Sequence, residues 1–280
     1  MWQEELIDAV SASLGDIGHV RGLFLVGSHG KGAADAFSDI DLLAIVEEDR
    51  KADFVSAWRT TLENVTSIVF WNQRQADGIL INAITADWIR CDLVIPNGTT
   101  LHGRSRDTVR VLIDRDDLYG TLPAHLSHSG PNADRVKYLI NEFIRVLGLM
   151  VVVVGRGEYF TGVAGAGMLR DHLASLMVEE SGITDPGGAL HLSRLLSPEQ
   201  MEILLGLPYP GPERASVVEA HLRTAQAFMP RAQTMAAALD IPWPQRFEEA
   251  TLRHLRKAFG EEFDVSWQGV DALSQARSGA

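Results

Sequence analysis

One cysteine, Cys91, in a chain of 280 residues leaves no internal disulfide framework and suits a reducing cytoplasm. Basic residues are scarce as well: 25 Lys and Arg stand against 37 Asp and Glu, a net charge of −12. No basic stripe interrupts that excess. This argues against DNA or RNA as substrate, because phosphate contacts dominate such affinity. Long apolar runs are missing too. The longest, Leu149 to Val154, is far too short to span a bilayer, so no membrane association is expected. The first residues, Met1 to Glu5, lack the basic and apolar regions of a secretory signal. The glycosylation triplet Asn97-Gly98-Thr99 is then without consequence, and the expected location is cytoplasmic. There is no internal repeat, and nothing in the sequence sets an oligomeric state. The length accommodates two domains with cores of respectable size.

Against these absences one stretch carries chemistry, Gly22 to Ile45, GLFLVGSHGKGAADAFSDIDLLAI. An apolar run ends at Gly27-Ser28, a polar loop follows, and Asp39 and Asp41 lead into a second apolar run. Alternate residues of a strand share a face, so both carboxylates project the same way. Two carboxylates that close repel unless a cation lies between them, and oxygen ligands of this kind suit Mg²⁺. The Gly27-Ser28 turn offers backbone N–H groups and a hydroxyl, which is what a phosphate needs. An Asp-x-Asp alone reads as a hairpin with surface aspartates. Joined to Gly-Ser at one loop's distance, it reads as a triphosphate site. A P-loop is excluded, since Gly27, Gly30 and Lys31 have neither its four-residue gap nor its Ser/Thr after lysine.

With these residues the chain resembles the nucleotidyltransferase superfamily of DNA polymerase β type, nearest to its aminoglycoside and lincosamide nucleotidyltransferases. The shared pattern is Val26-Gly27-Ser28, a loop with Gly32, Asp35 and Ser38, then Asp39-Ile40-Asp41-Leu42. Lys31 stands where relatives usually carry arginine. The strong match covers about the first 115 residues. The resemblance implies a third carboxylate on a later strand, and Asp92 in WIRCDLVIP fits. It also implies Mg²⁺, two ions by the family's logic, held by Asp39, Asp41 and Asp92, with ATP as nucleotide donor. Gly27, Ser28 and Lys31 would hold phosphate oxygens, and Asp92 would accept the proton of the acceptor hydroxyl. The activity implied is transfer of AMP to a hydroxyl of a small, cationic molecule such as an aminoglycoside or lincosamide antibiotic, with release of pyrophosphate. Two other readings stand beside it: AMP transfer to a protein acceptor, and a nucleotide-binding regulatory module without catalysis. For Asp92 the plain alternative is a salt bridge with Arg90 or Arg104.

The expected fold is an α+β nucleotidyltransferase domain, a mixed sheet with flanking helices, over residues 1–119, followed by an all-α helical bundle over 120–280 that binds the acceptor. Trp2, Leu6, Val10 and Leu14 form an amphipathic helix. After the second strand a helix carries Phe54, Val55, Trp58 and Leu62. Strands are expected at Thr66–Trp71, Ile79–Thr85, Trp88–Ile95 and Arg110–Asp114. Turn formers from Gly120 to Pro131 mark the boundary. Helices then follow at Val136–Val154, Glu158–Glu180, Ala189–Leu205, Glu213–Leu239 and Gln245–Phe259, with Pro230 expected to kink or divide its helix. Glu142, Glu158, Asp171, Glu179 and Glu180 are candidate acids for a polyamine, although a solvated helix face accounts for any one of them. Arg170-Asp171-His172 interrupts an apolar helix. His191 and Arg194 are a pair one turn apart, and the tail from Ser274 is small and polar.

Overall fold

A computed structural model describes residues 3–98, 101–127, 130–183 and 192–260. Trp2, His128, His191, the triplet's Thr99 and the tail from Ser274 lie outside them. The chain divides into two compact units, Met1–Ser127 and His128–Ala280.

The first unit is a six-stranded mixed sheet with helices on one face. Its elements are α1 (Gln3–Gly15), β1 (Val20–Leu25), a single helical turn α2 (Gly27–Gly30), β2 (Ile40–Val46), α3 (Lys51–Val65), β3 (Ile68–Ala76), β4 (Gly78–Thr85), β5 (Arg90–Pro96) and β6 (Arg110–Asp114). The strand order is β3-β4-β5-β2-β1-β6. Only β2 and β5 pair in parallel; the other neighbours are antiparallel. Alternation sorts the side chains. Leu42, Ala44, Ile81, Ala83, Cys91, Leu93 and Ile95 point to the face covered by Leu6, Val10 and Leu14 of α1 and Phe54, Trp58 and Leu62 of α3. Burying such side chains, at about 1.5–3 kcal/mol each, fixes which face each strand presents. On the opposite face Phe24, Leu43 and Ile45 are covered by Leu101, Val109 and Leu122. The remaining positions of that face include Asp41, Asp92 and Asn82.

Two strands differ from the expected limits by more than one residue. β3 continues past Trp71 to Ala76, because the polar run Asn72–Gln75 belongs to an edge strand that needs no apolar cover. A tight hairpin at Asp77-Gly78 closes it. Gly78 has φ +133, and a Cβ there would lie 2.3 Å from the Ile95 carbonyl oxygen, so only glycine fits. β5 starts at Arg90 rather than Trp88, since Trp88 turns the chain at φ 61.

The second unit contains α4 (Ala133–Gly155), α5 (Tyr159–Ser181), the short α6 (Leu192–Leu195), α7 (Pro198–Gly206), α8 (Arg214–Ala238) and α9 (Gln245–Phe259). By length and composition α4 could cross a membrane. Its apolar stripe, Val136, Leu139, Ile140, Phe143, Leu147 and Met150, is buried in the bundle core, where α4 meets α5, α8 and α9. Phe143 stacks on Phe228 of α8 with centroids 3.8 Å apart. The helix expected over Ala189–Leu205 is broken: within its described part Ser197 caps a new helix, accepting from Gln200 N, with Pro198 in its first turn. Pro230 does not divide α8, which runs unbroken from Arg214 to Ala238. Packed along both α4 and α5, the helix continues past the proline although one backbone donor is missing.

Candidate active site

The site starts at the end of β1. Val26 N donates to the Asp41 carbonyl oxygen at 2.9 Å, holding the exit of β1 against the start of β2. The chain then turns sharply at Gly27, whose φ is +58. A Cβ at Gly27 would lie 2.0 Å from Asp41 Oδ2, so the absent side chain is what lets the turn approach the carboxylate. Gly27–Gly30 is one helical turn rather than the open loop that its composition suggests. Ser28 lies in this turn, and its Oγ is buried without a hydrogen-bond partner. A buried hydroxyl in that state loses about 1–3 kcal/mol unless a ligand satisfies it.

His29 follows, buried at 5% exposure. Its Nδ1 lies 3.6 Å from Glu4 Oε1, and Glu4 receives two hydrogen bonds from Arg110. Burial lowers the imidazole pKa below its ordinary value, so it is neutral at pH 7. This contact ties the turn to α1 and β6, a link that no local sequence pattern shows. Lys31 is exposed at the end of the turn. The loop that follows is set by its own polar side chains. Asp35 N donates to Ser38 Oγ at 2.9 Å, and Asp35 Oδ1 accepts from Phe37 N at 3.0 Å and from Ser38 Oγ at 3.1 Å. Asp and Ser side chains commonly close such turns, and this one delivers Asp39 to the edge of β2.

Three carboxylates converge there. Asp41 of β2 is directly opposite Asp92 of β5 across the parallel pair, and Asp39 immediately precedes β2. Asp39, Asp41 and Asp92 each offer an oxygen within 4.8 Å of the others. Burial, then Asp39, then Asp92 raise the Asp41 pKa to about 6. Asp92 is raised as well, by burial first, and a hydrogen bond from Asn82 opposes the rise. Arg90 Nη1 lies 3.3 Å from Asp39 Oδ2. The Arg90 salt bridge therefore goes to Asp39, not to Asp92. Three carboxylates beside one paired cation still carry excess negative charge, which adds to burial in raising Asp41 and Asp92. An all-oxygen, anionic donor set of this kind fits Mg²⁺.

Sequence reasoning brings Asp39, Asp41, Asp92, Gly27 and Ser28 to one end of the sheet. It misses Asn82, which faces Asp92 across β4 and β5, and the link through His29. In the second unit Glu179 accepts from Asn132 N and pairs with Arg135 at 3.1 Å. Glu180 binds Arg231 and Gln200, and Glu142 pairs with Arg145. Arg170 donates to the carbonyls of Leu207 and Pro208 and stacks over Tyr209, which makes it a clamp on the loop after α7. Asp171 and Glu158 are exposed.

The sequence model of streptomycin adenylyltransferase matches residues 2–258. No curated protein sequence matches the chain. Among solved structures, an aminoglycoside 6-adenyltransferase from Bacillus subtilis is similar at 14% identity with a TM-score of 0.44, covering 95% of this chain and 100% of that one. A nucleotidyltransferase-like protein from Exiguobacterium sibiricum 255-15 is similar at 16% identity with a TM-score of 0.40, covering 92% of this chain and 88% of the other.

Proposed function

The chain belongs to the streptomycin adenylyltransferase family, a family of nucleotidyltransferase enzymes, and on that premise we propose that it transfers AMP from ATP to a hydroxyl of an aminoglycoside-type molecule in a Mg²⁺-dependent reaction. The observation that carries this reading is the convergence of Asp39, Asp41 and Asp92 within 4.8 Å beside the unpartnered Ser28 hydroxyl. Asp39 and Asp41 would hold the metal from the start of β2, and Asp92 would complete its ligand set from β5. When bound, Mg²⁺ neutralises phosphate charge and polarises the phosphoryl oxygens. The Ser28 hydroxyl and the backbone N–H groups of Gly27 and Ser28 hold the outer phosphates, and Lys31 adds a positive charge at the exposed end of the turn. Asp92 also accepts the proton of the attacking hydroxyl. The new bond joins that oxygen to the α-phosphorus as the bond to pyrophosphate breaks. A base supplies about 10²–10⁴-fold, so positioning and electrostatics carry most of the rate.

The sheet-bearing unit is the catalytic domain in this reading, and the helical unit binds the acceptor. The family match spans both units, which supports one joint function. A net charge of −12 favours a cationic acceptor and disfavours nucleic acid. Of the five candidate acids of the helical unit, the exposed Asp171 and Glu158 are left to meet ammonium groups, since Glu142, Glu179 and Glu180 are paired with arginines.

The test is incubation with Mg²⁺, labelled nucleoside triphosphates and a panel of aminoglycosides and lincosamides, with mass spectrometry of the products. Addition of one adenylate to an aminoglycoside is the expected result, and no product from any aminoglycoside with any triphosphate refutes the reading. Asp39→Asn and Asp41→Asn should each abolish Mg²⁺-dependent ATP binding in calorimetry with the fold retained. Wild-type MgATP affinity in both variants would remove the metal assignment.

A further inference from the structure

On the open part of the sheet face, three strands carry a polar row that runs away from the carboxylates. Asn82 of β4 lies opposite Asp92 of β5 on one side and opposite Asn72 of β3 on the other. Arg74, two residues further along β3, shares that face. Arg74 Nη2 donates to Asn82 Oδ1 at 2.8 Å. With its oxygen engaged by a guanidinium, the Asn82 amide has one sensible orientation, NH₂ toward Asp92, which lies directly opposite it across the β4–β5 pair. The flipped amide would set its oxygen against a carboxylate and its NH₂ against a cation, both repulsive.

We propose that Arg74 and Asn82 are positioning residues: the Arg74 guanidinium fixes the Asn82 amide, and the amide holds the Asp92 carboxylate in place to complete the metal site with Asp39 and Asp41. Arg74 thus acts on the site from two strands away, chiefly through Asn82, while its charge also acts directly on Asp92. Groups that orient metal ligands in this manner are worth about 10–100-fold in metal affinity or activity. The inference rests on the carboxylates holding a divalent cation.

The experiment titrates Mn²⁺ into the full chain by electron paramagnetic resonance, for the wild type, Asn82→Ala, Arg74→Ala and the double variant. Thermal melts confirm that each is folded; Arg74 is exposed, so its removal leaves the core intact. Steady-state kinetics run alongside on an acceptor that the wild type adenylates. Asn82→Ala should weaken Mn²⁺ binding about 10-fold or more and lower kcat by a similar factor, with KM for ATP changed less. Arg74→Ala should move in the same direction, and Arg74→Lys, which keeps a cationic donor, should recover part of the loss. Most telling, the loss in the double variant should fall well short of the two single losses combined, since residues acting in series are not additive. Wild-type Mn²⁺ affinity in both single variants overturns the relay, and so does an additive double variant. A wild type that binds no Mn²⁺ overturns the metal site itself, which separates that failure from failure of the relay.

Discussion

Replacing Asp41 with asparagine keeps the size of the side chain and removes one charge from the carboxylate cluster. In the folded protein the Asp41 pKa is raised from 3.8 to about 6. A tenfold change in proton affinity is worth about 1.4 kcal/mol, so this rise sets a ceiling of about 3 kcal/mol, reduced to about 2 kcal/mol by solvent screening of a partly exposed group. The sign follows from proton uptake. Between about pH 4 and pH 6 the folded chain binds more protons at this group than the unfolded chain, so stability falls as pH rises through that window. The destabilisation is absent below about pH 3.8 and complete above about pH 6. With metal removed by a chelator at pH 7.5, Asp41→Asn should therefore be more stable than the wild type by about 1–3 kcal/mol, and the difference should vanish near pH 4. Saturating Mg²⁺ should reverse the order, because a ligand at about 100 times its Kd adds about 2.7 kcal/mol to the protein that binds it. Urea denaturation followed by tryptophan fluorescence reads the change, since Trp58 is fully buried beneath the same sheet. An Asp41→Asn variant less stable than the wild type in chelator at pH 7.5 would refute this account of the cluster.

Three further outcomes follow from the geometry. Asp92→Asn should weaken divalent-metal binding at least as much as Asn82→Ala and lose at least about 10²-fold in turnover at saturating ATP and metal; near-normal turnover would exclude Asp92 from the chemical step. Gly27→Ala places a methyl 2.0 Å from Asp41 Oδ2 at a φ of +58, so it should lower stability by about 1–3 kcal/mol and abolish Mg²⁺ binding, measured by melts and calorimetry; wild-type metal affinity would contradict that close approach. Mg²⁺ affinity should be flat from pH 7 to 8 and fall as the solution is acidified through about pH 6, where protons compete for Asp41; an affinity unchanged down to pH 5 would contradict it.

What could be read from sequence was whatever depends on periodicity or on a short local motif. The spacing of Asp39 and Asp41 and the alternation of Cys91, Asp92 and Leu93 sufficed to assign faces, and α9 lies at its expected limits, Gln245–Phe259. What could not be read depends on partners across strands. Arg90 has Asp92 two residues away in sequence, yet it pairs with Asp39, because the parallel β2–β5 pairing brings Asp39 beside the start of β5. Asn82 looks like one more polar residue in an alternating strand until β4 sets it opposite Asp92. The extension of β3 was hidden because an edge strand can be polar on both faces. The break at Ser197-Pro198 was legible in principle as an N-terminal signature with Gln200, but the apolar residues on either side masked it.

The parallel pairing of β2 with β5 has a bearing on how the chain comes to fold correctly. Asp41 and Asp92 come from segments separated by α3 and the β3–β4 hairpin, and such non-local pairing forms slowly. With a side-chain period of two, a slip of one residue would turn Asp92 under the helices and bring Cys91 or Leu93 to face Asp41. A misaligned sheet would then offer two carboxylates where three are needed. The divalent cation that the three carboxylates fit would bind the correctly aligned sheet and discriminate against its slipped competitors. In that role it acts as a proofreader of strand alignment, selecting by mass action the one register in which the site exists.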